Sequence, residues 1–292
     1  MADVWLISSG IVAPFLVVFR ESIEAALIIG IIWAYLDKIE KPEYQKYLLY
    51  GSAFAVMFSI FLGGVIVITL GELSGFWKKA FEGVASITAT FVLTYVIIWM
   101  SQNAQTIKNE LEGKIAFGIV KAYRRKQFIN TILIISFVTV AREGLETILF
   151  LTPLLSISLE QTLIGSIFGI IMALILSLAA KRGIYNFDTR KFFSYTSIIL
   201  VVFAAGLFGY GIHESIEAAE IAGIEHPLFA QAWDINPESQ GHPLHEKGII
   251  GSFAKALFGY DGNPEILRVF GYVGYWLVLG LYLRRTYSSR NI

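Results

Sequence analysis

Two copies of one charged pentapeptide interrupt two long apolar segments of the chain. The first motif is RESIE, residues 20–24, and the second motif is REGLE, residues 142–146. About fourteen mostly apolar or small residues precede each copy, so a segment that crosses a bilayer would place six charges near mid-depth. A charge there costs roughly 2.5–3.5 kcal/mol, and six without partners would cost on the order of 15–20 kcal/mol. These ten residues are therefore the first candidates for a functional site.

The composition is typical of a membrane protein. The sequence is 55% hydrophobic and only 16% charged, which lies outside the usual range of soluble domains. Its net charge is zero, so no overall field would attract nucleic acid. The chain has no cysteine, which excludes disulfides and thiolate metal sites and leaves carboxylate, imidazole and carbonyl groups as candidate ligands.

Seven apolar runs are each long enough to cross a bilayer, which predicts an all-α polytopic membrane protein with seven transmembrane helices. The runs are residues 6–35, 47–70, 81–100, 128–155, 163–180, 192–211 and 266–283. Connections on one side of the membrane hold 16 lysines and arginines, and those on the other side hold four. Because the cytoplasmic side carries the excess of positive charge, the N-terminus is predicted outside and the C-terminus inside.

The two motifs then lie in helices that cross the membrane in opposite directions. Residues 1–100 and 128–211 are predicted to form inverted three-helix repeats within a single transmembrane domain, residues 1–292, and the last run, 266–283, is a seventh helix. A site at the midplane between inverted repeats is a common plan in transporters.

The carboxylates of the two motifs are predicted to form a cation site. Residues three apart share a helix face, so Glu21 and Glu24 point the same way, as do Glu143 and Glu146. Oxygen ligands suit hard cations. A buried ion-pair clamp and a metal-free proton relay are alternatives, but the four glutamates outnumber the two arginines, Arg20 and Arg142, two to one.

Residues 212–265 form the one long outer connection, which is acidic and carries all four histidines. Near its start, His213, Glu214 and Glu217 are candidates for an external metal site, and residues 214–219 repeat the sequence of residues 21–26, ESIEAA. An acidic outer surface would concentrate cations. The same residues could equally be a polar cap at the end of the sixth run.

With these motifs the chain resembles the oxidase-dependent iron permeases, a family that includes fungal high-affinity iron permeases and bacterial Efe-type proteins. The resemblance rests on Arg-Glu-x-x-Glu motifs in the first and fourth of seven helices, and it covers essentially the whole chain. It continues in residues 211–217 (GIHESIE), 257–264 (LFGYDGNP) and 272–276 (YVGYW).

The resemblance implies import of iron, expected as the ferric ion, across the plasma membrane by a multi-pass permease that is not an enzyme. It implies Glu21, Glu24, Glu143 and Glu146 as iron ligands, with Arg20 and Arg142 in support, and iron as the transported substrate with no organic cofactor. A separate extracytoplasmic oxidase or peroxidase-like protein is the implied partner. The rival hypotheses are a metal sensor or metalloenzyme that does not translocate, and a proton-coupled transporter of another cation.

Overall fold

In the computed structural model the protein is built from α-helices. The structure describes residues 2–103, 113, 125–181, 189–239, 242–245 and 248–288, and within these ranges it contains no β-strand. The helices are α1 (Ala2–Lys38), α2 (Gln45–Glu72), α3 (Gly75–Asn103), α4 (Arg125–Ile157), α5 (Leu159–Lys181), α6 (Thr189–Ile221), α7 (Ile249–Phe258) and α8 (Ile266–Ser288). Single 3-10 turns occur at Pro42–Tyr44 and Pro227–Phe229.

All seven predicted apolar runs lie within helices. Within the described residues, five helical segments are long and apolar enough to cross a membrane, and they are Pro42–Glu72, Gly75–Met100, Leu159–Ala180, Lys191–Ile221 and Ile266–Arg285. These segments are those of an integral membrane protein. Helices α1 and α4 contain 37 and 33 residues, also long enough to cross. Their charged motifs lower their apolarity, so the seven-span topology stays a prediction.

The predicted orientation of the chain in the membrane also stays a prediction, because several of the basic residues that support it lie outside the residues that the structure describes. The basic residues that lie outside the described residues are Lys108, Lys114, Lys121, Arg124, Arg182, Lys247 and Arg290.

The helices pair in a regular pattern. Helix α1 packs most extensively on α5, α2 on α4, and α3 on α6. If α1, α2 and α3 are exchanged with α4, α5 and α6 in that order, the α1–α5 pair becomes the α4–α2 pair. The α3–α6 pair is unchanged by this exchange. Two inverted three-helix repeats related by a two-fold axis would produce this pattern.

Small residues let two of these pairs approach closely. A Cβ atom at Gly165 of α5 would lie 2.5 Å from the Ile11 carbonyl oxygen, and one at Gly169 would lie 2.9 Å from that of Phe15. A Cβ atom at Gly51 of α2 would lie 2.6 Å from the Leu133 carbonyl oxygen of α4. The Gly165-x-x-x-Gly169 pattern therefore serves packing within the chain, as the small-residue spacing predicts.

Two apolar clusters enclose the first motif along α1. Ala13 and Val17 belong to a buried cluster that α3, α4 and α6 complete. About one to three turns after the motif, Ile28, Ile32 and Leu36 join a second buried cluster with residues of α2 and α4. The charged residues between them are thus held in a largely apolar interior, where unpaired charges are costly.

The outer connection is more ordered than the sequence indicates. Helix α6 ends at Ile221, so the end predicted at Gly211 is ten residues too early. The helix continues because Ile216 and Ala218 are buried against the bundle. Helix α7, which the hydropathy pattern did not predict, ends at Phe258 and is capped by Gly259 in the left-handed conformation (φ 69°). Gly259 packs directly on Gly206 of α6.

Candidate metal site

The two charged motifs meet inside the helix bundle. Glu21 of α1 and Glu143 and Glu146 of α4 each place a carboxylate oxygen within 4.8 Å of the others. Glu21 and Glu143 are almost fully buried, with 1% and 2% of their surface exposed. We call these three residues the central cluster. Its geometry confirms that the i,i+3 spacing of α4 directs two carboxylates to one face.

Arg20 is enclosed on all sides. Its side chain is completely buried, and its two terminal nitrogens lie 2.9 Å from Glu21 Oε1 and 2.9 Å from Glu24 Oε1. The Nη2 atom also donates a hydrogen bond to the Met100 sulfur of α3 at 2.9 Å. A planar guanidinium can hold two carboxylates in a fixed arrangement, so Arg20 fixes the orientation of both glutamates on α1.

Arg142 has the corresponding partners on α4 in a more open setting. Its Nε atom lies 3.1 Å from Glu146 Oε1 and 3.5 Å from Glu143 Oε1. Half of its side-chain surface is exposed. The guanidinium carbon lies 5.6 Å from the centre of the Trp99 ring, within the range of a cation–π contact.

Each glutamate of the central cluster has one carboxylate oxygen to spare. The Oε1 atoms of Glu21, Glu143 and Glu146 face the arginines. Their Oε2 atoms are buried and have no hydrogen-bond partner within the described part of the chain. A buried acceptor left unpaired costs about 1–3 kcal/mol, and more when it is charged. A cation bound among the three oxygens would remove that cost, and oxygen ligands suit hard cations.

The fourth predicted ligand, Glu24, is placed differently. Its side chain is 5% exposed, and its Oε1 atom forms an ion pair with Arg20 at 2.9 Å but accepts no hydrogen bond within the described residues. It is not among the carboxylates that lie within 4.8 Å of one another in the central cluster. The structure therefore brings three of the four predicted carboxylates together and leaves the fourth beside the arginine.

A second group of charged residues lies where α3 and α6 meet. His213, Glu214 and Glu217 of α6 offer ligand atoms within 4.8 Å of one another. The Nζ atom of Lys79, on α3, lies 2.8 Å from Glu214 Oε2, 2.6 Å from Glu217 Oε2 and 4.0 Å from Glu82 Oε2. We call these five residues the outer cluster. The sequence interpretation missed Glu82 and used Lys79 only to orient the chain.

The outer cluster is tied to the start of α8. His213 Nδ1 lies 2.6 Å from Glu265 Oε1, and Arg268 forms an ion pair with Asp261. Burial opposes ionisation of the Asp261 and Glu265 carboxyls. The Arg268 charge nevertheless holds the pKa of Asp261 below its ordinary value. The hydrogen bond with His213 likewise lowers the pKa of Glu265. His213 thus joins α6 to α8 as well as facing Glu217, from which its Nε2 atom lies 3.4 Å away.

Comparison with known proteins gives a consistent result over the length of the chain. The iron permease FTR1 family matches residues 11–286. An uncharacterised protein of Archaeoglobus fulgidus is 36% identical over 93% of this chain and 94% of its own. The ferrous iron permease EfeU of Yersinia pestis is 30% identical over 90% of this chain and 89% of its own. EfeU of Escherichia coli is 27% identical over 88% and 89%. No solved structure matches the chain.

Both charged motifs, the central cluster and the outer cluster lie inside the matched region. The family and its named members are permeases, so the metalloenzyme reading of the buried carboxylates is set aside. The chain belongs to the iron permease FTR1 family and is a membrane transporter rather than an enzyme.

Proposed function

We propose that this permease imports iron, as the ferric ion, across the plasma membrane through the central cluster. Seven transmembrane helices would form the pathway, with inverted repeats of α1–α3 and α4–α6 and with α8 as the seventh span. The N-terminus would lie outside. In this arrangement the central cluster lies near the midplane, where transporters with inverted repeats bind their substrates.

The observation that carries the proposal is the set of three spare Oε2 atoms on Glu21, Glu143 and Glu146. A simple ion-pair clamp would use both oxygens of each carboxylate, or would contain as many arginines as glutamates. Here four glutamates face two arginines, which leaves the motifs with a net charge of −2 when all are ionised. A polyvalent cation bound to the central cluster would supply the missing positive charge. Release of that cation on the other side of the membrane would then complete transport.

The two arginines have complementary roles in this proposal. They pair with the Oε1 atoms of the glutamates and leave the buried Oε2 atoms without a hydrogen-bond partner. They also limit the negative charge, because four carboxylates alone would bind a trivalent cation too tightly to release it. Glu24 contributes by fixing Arg20 and by adding to the local field, even though it lies outside the central cluster.

Ferrous iron is the second candidate cargo. The relatives from Yersinia pestis and Escherichia coli are named ferrous iron permeases. A divalent cation would also balance the net charge of −2, whereas a trivalent one would leave one positive charge in an apolar interior. Ferric import would in addition need a separate extracytoplasmic oxidase or peroxidase-like partner, which the family resemblance implies.

Uptake of radioactive iron into proteoliposomes tests the proposal. Ferric citrate and ferrous iron kept reduced with ascorbate are compared in vesicles that contain the wild-type protein, the Glu143→Gln variant or no protein. We expect uptake by the wild type alone, with ferric citrate as the better substrate. Uptake of ferrous iron only would replace the ferric cargo by the ferrous one. Binding without accumulation inside the vesicles would favour a sensor, and inhibition by an organic cation panel but not by metals would favour the remaining rival.

A further inference from the structure

We infer that Lys79 is a tethered competitor of the transported cation: its ammonium group occupies the oxygens of Glu214 and Glu217 until an arriving cation displaces it. This inference rests on the proposed function, because it assigns the outer cluster as the capture site of the same permease. It gives Lys79 a role in setting affinity and release, which neither the motifs nor the family match assigns.

The geometry shows a site that already contains a cation. Lys79 lies in the second turn of α3, and its Nζ atom reaches three carboxylates on two helices. The side chains of Glu82 and Glu214 are both only 4% exposed. Carboxylates buried to this degree need a counter-charge, and the ammonium group supplies it at 2.8 Å from Glu214 and 2.6 Å from Glu217.

The same carboxylates are the ones that a metal would use. His213, Glu214 and Glu217 place ligand atoms within 4.8 Å of one another, close enough for a single cation. The Nζ atom of Lys79 lies on the Oε2 atoms of both glutamates. A metal ion and the ammonium group would therefore compete for the same two carboxylates, and in our inference binding of one displaces the other.

The Lys79 side chain is able to move away from the carboxylates. Its side chain is 30% exposed, and lysine carries a compact, strongly hydrated charge on a flexible stem. The ammonium group offers one positive charge to three carboxylates, whereas iron offers two or three. Rotation of the stem toward water would free the oxygens without moving either helix.

Helices α1 and α6 hold equivalent pairs of glutamates in different ways. Residues 214–219 and 21–26 have the same sequence, so both helices present two glutamates at the same spacing. On α1 the partner is a fully buried arginine that leaves the Glu21 Oε2 atom free. On α6 the partner is a partly exposed lysine whose Nζ atom lies within ion-pair distance of both Oε2 atoms, without hydrogen-bond geometry at Glu214. The first pair is held permanently, and the second can exchange its cation.

Competition by Lys79 has two kinetic consequences. It weakens capture, because the incoming cation must replace an ion pair. It also speeds release, because the returning ammonium group takes back the oxygens and expels the metal toward the central cluster. Removing the charge of Lys79 should therefore strengthen binding at the outer cluster and slow turnover, so that both KM and the maximal rate fall.

The test measures ferrous iron binding to the purified full-length protein by anaerobic equilibrium dialysis. Glu21→Gln with Glu143→Gln provides a background in which the central cluster is disabled. Lys79→Met in that background removes the charge and keeps the stem. Lys78→Met is the matched control, since Lys78 acts on Glu82 of the outer cluster only through its charge and forms no ion pair within the described residues. We expect Lys79→Met to bind iron at least about tenfold more tightly, because a unit charge at ion-pair distance has been removed. We expect Lys78→Met to stay within about twofold of the background, because its charge is not held at ion-pair distance and is screened.

Chemical rescue separates competition from a structural role. Added methylammonium should weaken iron binding to Lys79→Met, because the free ammonium fills the vacated position, and it should have little effect when Lys79 is present. Lys79→Gln, which keeps a hydrogen-bond donor, provides the same comparison if Lys79→Met aggregates. Unchanged or weaker iron binding in these variants would overturn the inference, as would an equal gain from Lys78→Met. Binding is measured independently of transport, so failure of iron uptake by the wild type would contradict the proposed function without deciding this result.

Discussion

Arg20 and Arg142 hold equivalent positions in the two charged motifs, yet the Arg20 side chain is fully buried and half of the Arg142 side chain is exposed. The same pentapeptide pattern therefore has two environments. Arg20 is closed in by Met100, whereas Arg142 lies beside the Trp99 ring. Glu146, at 14% side-chain exposure, is the most accessible carboxylate of the central cluster. The α4 side is thus the open side of the site in this structure.

This asymmetry predicts that the two arginines differ in their effect on stability. Arg20→Ala leaves Glu21 and Glu24 buried without a counter-charge, which costs about 3–5 kcal/mol when a buried pair is broken. Arg142→Ala should cost clearly less, because the half-exposed guanidinium is partly screened. Thermal unfolding of the purified proteins in detergent compares them directly. Equal losses of melting temperature would show that burial does not distinguish the two arginines.

A conservative change separates the charge of Arg20 from its shape. Arg20→Lys keeps the positive charge but loses the planar fork that holds two carboxylates. We expect this variant to fold and to transport iron poorly, because Glu21 and Glu24 are no longer held in a fixed arrangement. Uptake is measured in proteoliposomes at matched protein content. Wild-type uptake by Arg20→Lys would mean that only the charge is needed.

The central cluster predicts an order among the glutamate variants. Glu21→Gln, Glu143→Gln and Glu146→Gln each remove a charged carboxylate from the central cluster, so each should abolish iron binding at that cluster while binding at the outer cluster remains. Glu24→Gln should retain weakened binding, since its oxygen is engaged by Arg20 rather than by the cation. Isothermal titration with iron tests the order, with Glu72→Gln, exposed at the end of α2, as the control. Complete loss in Glu24→Gln together with retained binding in Glu146→Gln would contradict it.

Close packing of α5 on α1 gives a prediction about stability. Leucine at Gly169 would collide with the backbone of α1, because even a Cβ atom would lie 2.9 Å from the Phe15 oxygen. Overpacking of this kind costs about 1–3 kcal/mol or more. Gly64→Leu is the matched control, since no heavy atom lies within 4 Å of a Cβ placed there. We expect Gly169→Leu to lower the melting temperature in detergent and Gly64→Leu to leave it unchanged; the reverse would contradict the α1–α5 contact.

Removal of ligands from the outer cluster should affect capture more than passage. His213→Ala combined with Glu217→Gln weakens the local attraction for cations, while the central cluster is unchanged. The apparent KM for iron should rise with little change in maximal rate. Uptake should also become less sensitive to added salt, because part of a screened electrostatic attraction is gone. A collapse of the maximal rate at constant KM would instead place Glu217 on the pathway itself.

The sequence predicted the helices and the shared face of Glu143 and Glu146 because both depend on local patterns. Apolar runs and the i,i+3 spacing of Glu143 and Glu146 are readable from neighbouring residues alone. The selection of three carboxylates out of four depends on which way Arg20 turns, and no local pattern reveals that.

Contacts between distant residues were the other part that the sequence could not predict. Met100 lies 80 residues from Arg20 in the chain, and nothing in the sequence around Met100 indicates the contact. Lys79 was recognised only as a basic residue in an outer connection, because its partners on α6 become visible only when α3 and α6 pack together. The end of α6 was predicted too early because the charged residues around Ile216 and Ala218 are typical of a loop. The burial of these two residues becomes visible only in the structure.

The position of iron in the protein tests the central claim most directly. Crystals of the permease grown with iron, with diffraction recorded on both sides of the iron absorption edge, locate the metal by its anomalous signal. The three spare oxygens predict a peak between Glu21, Glu143 and Glu146, with Glu24 turned toward Arg20 and outside the coordination sphere. A peak confined to the outer cluster, or iron bound by Glu24 with Glu146 turned away, would contradict the account.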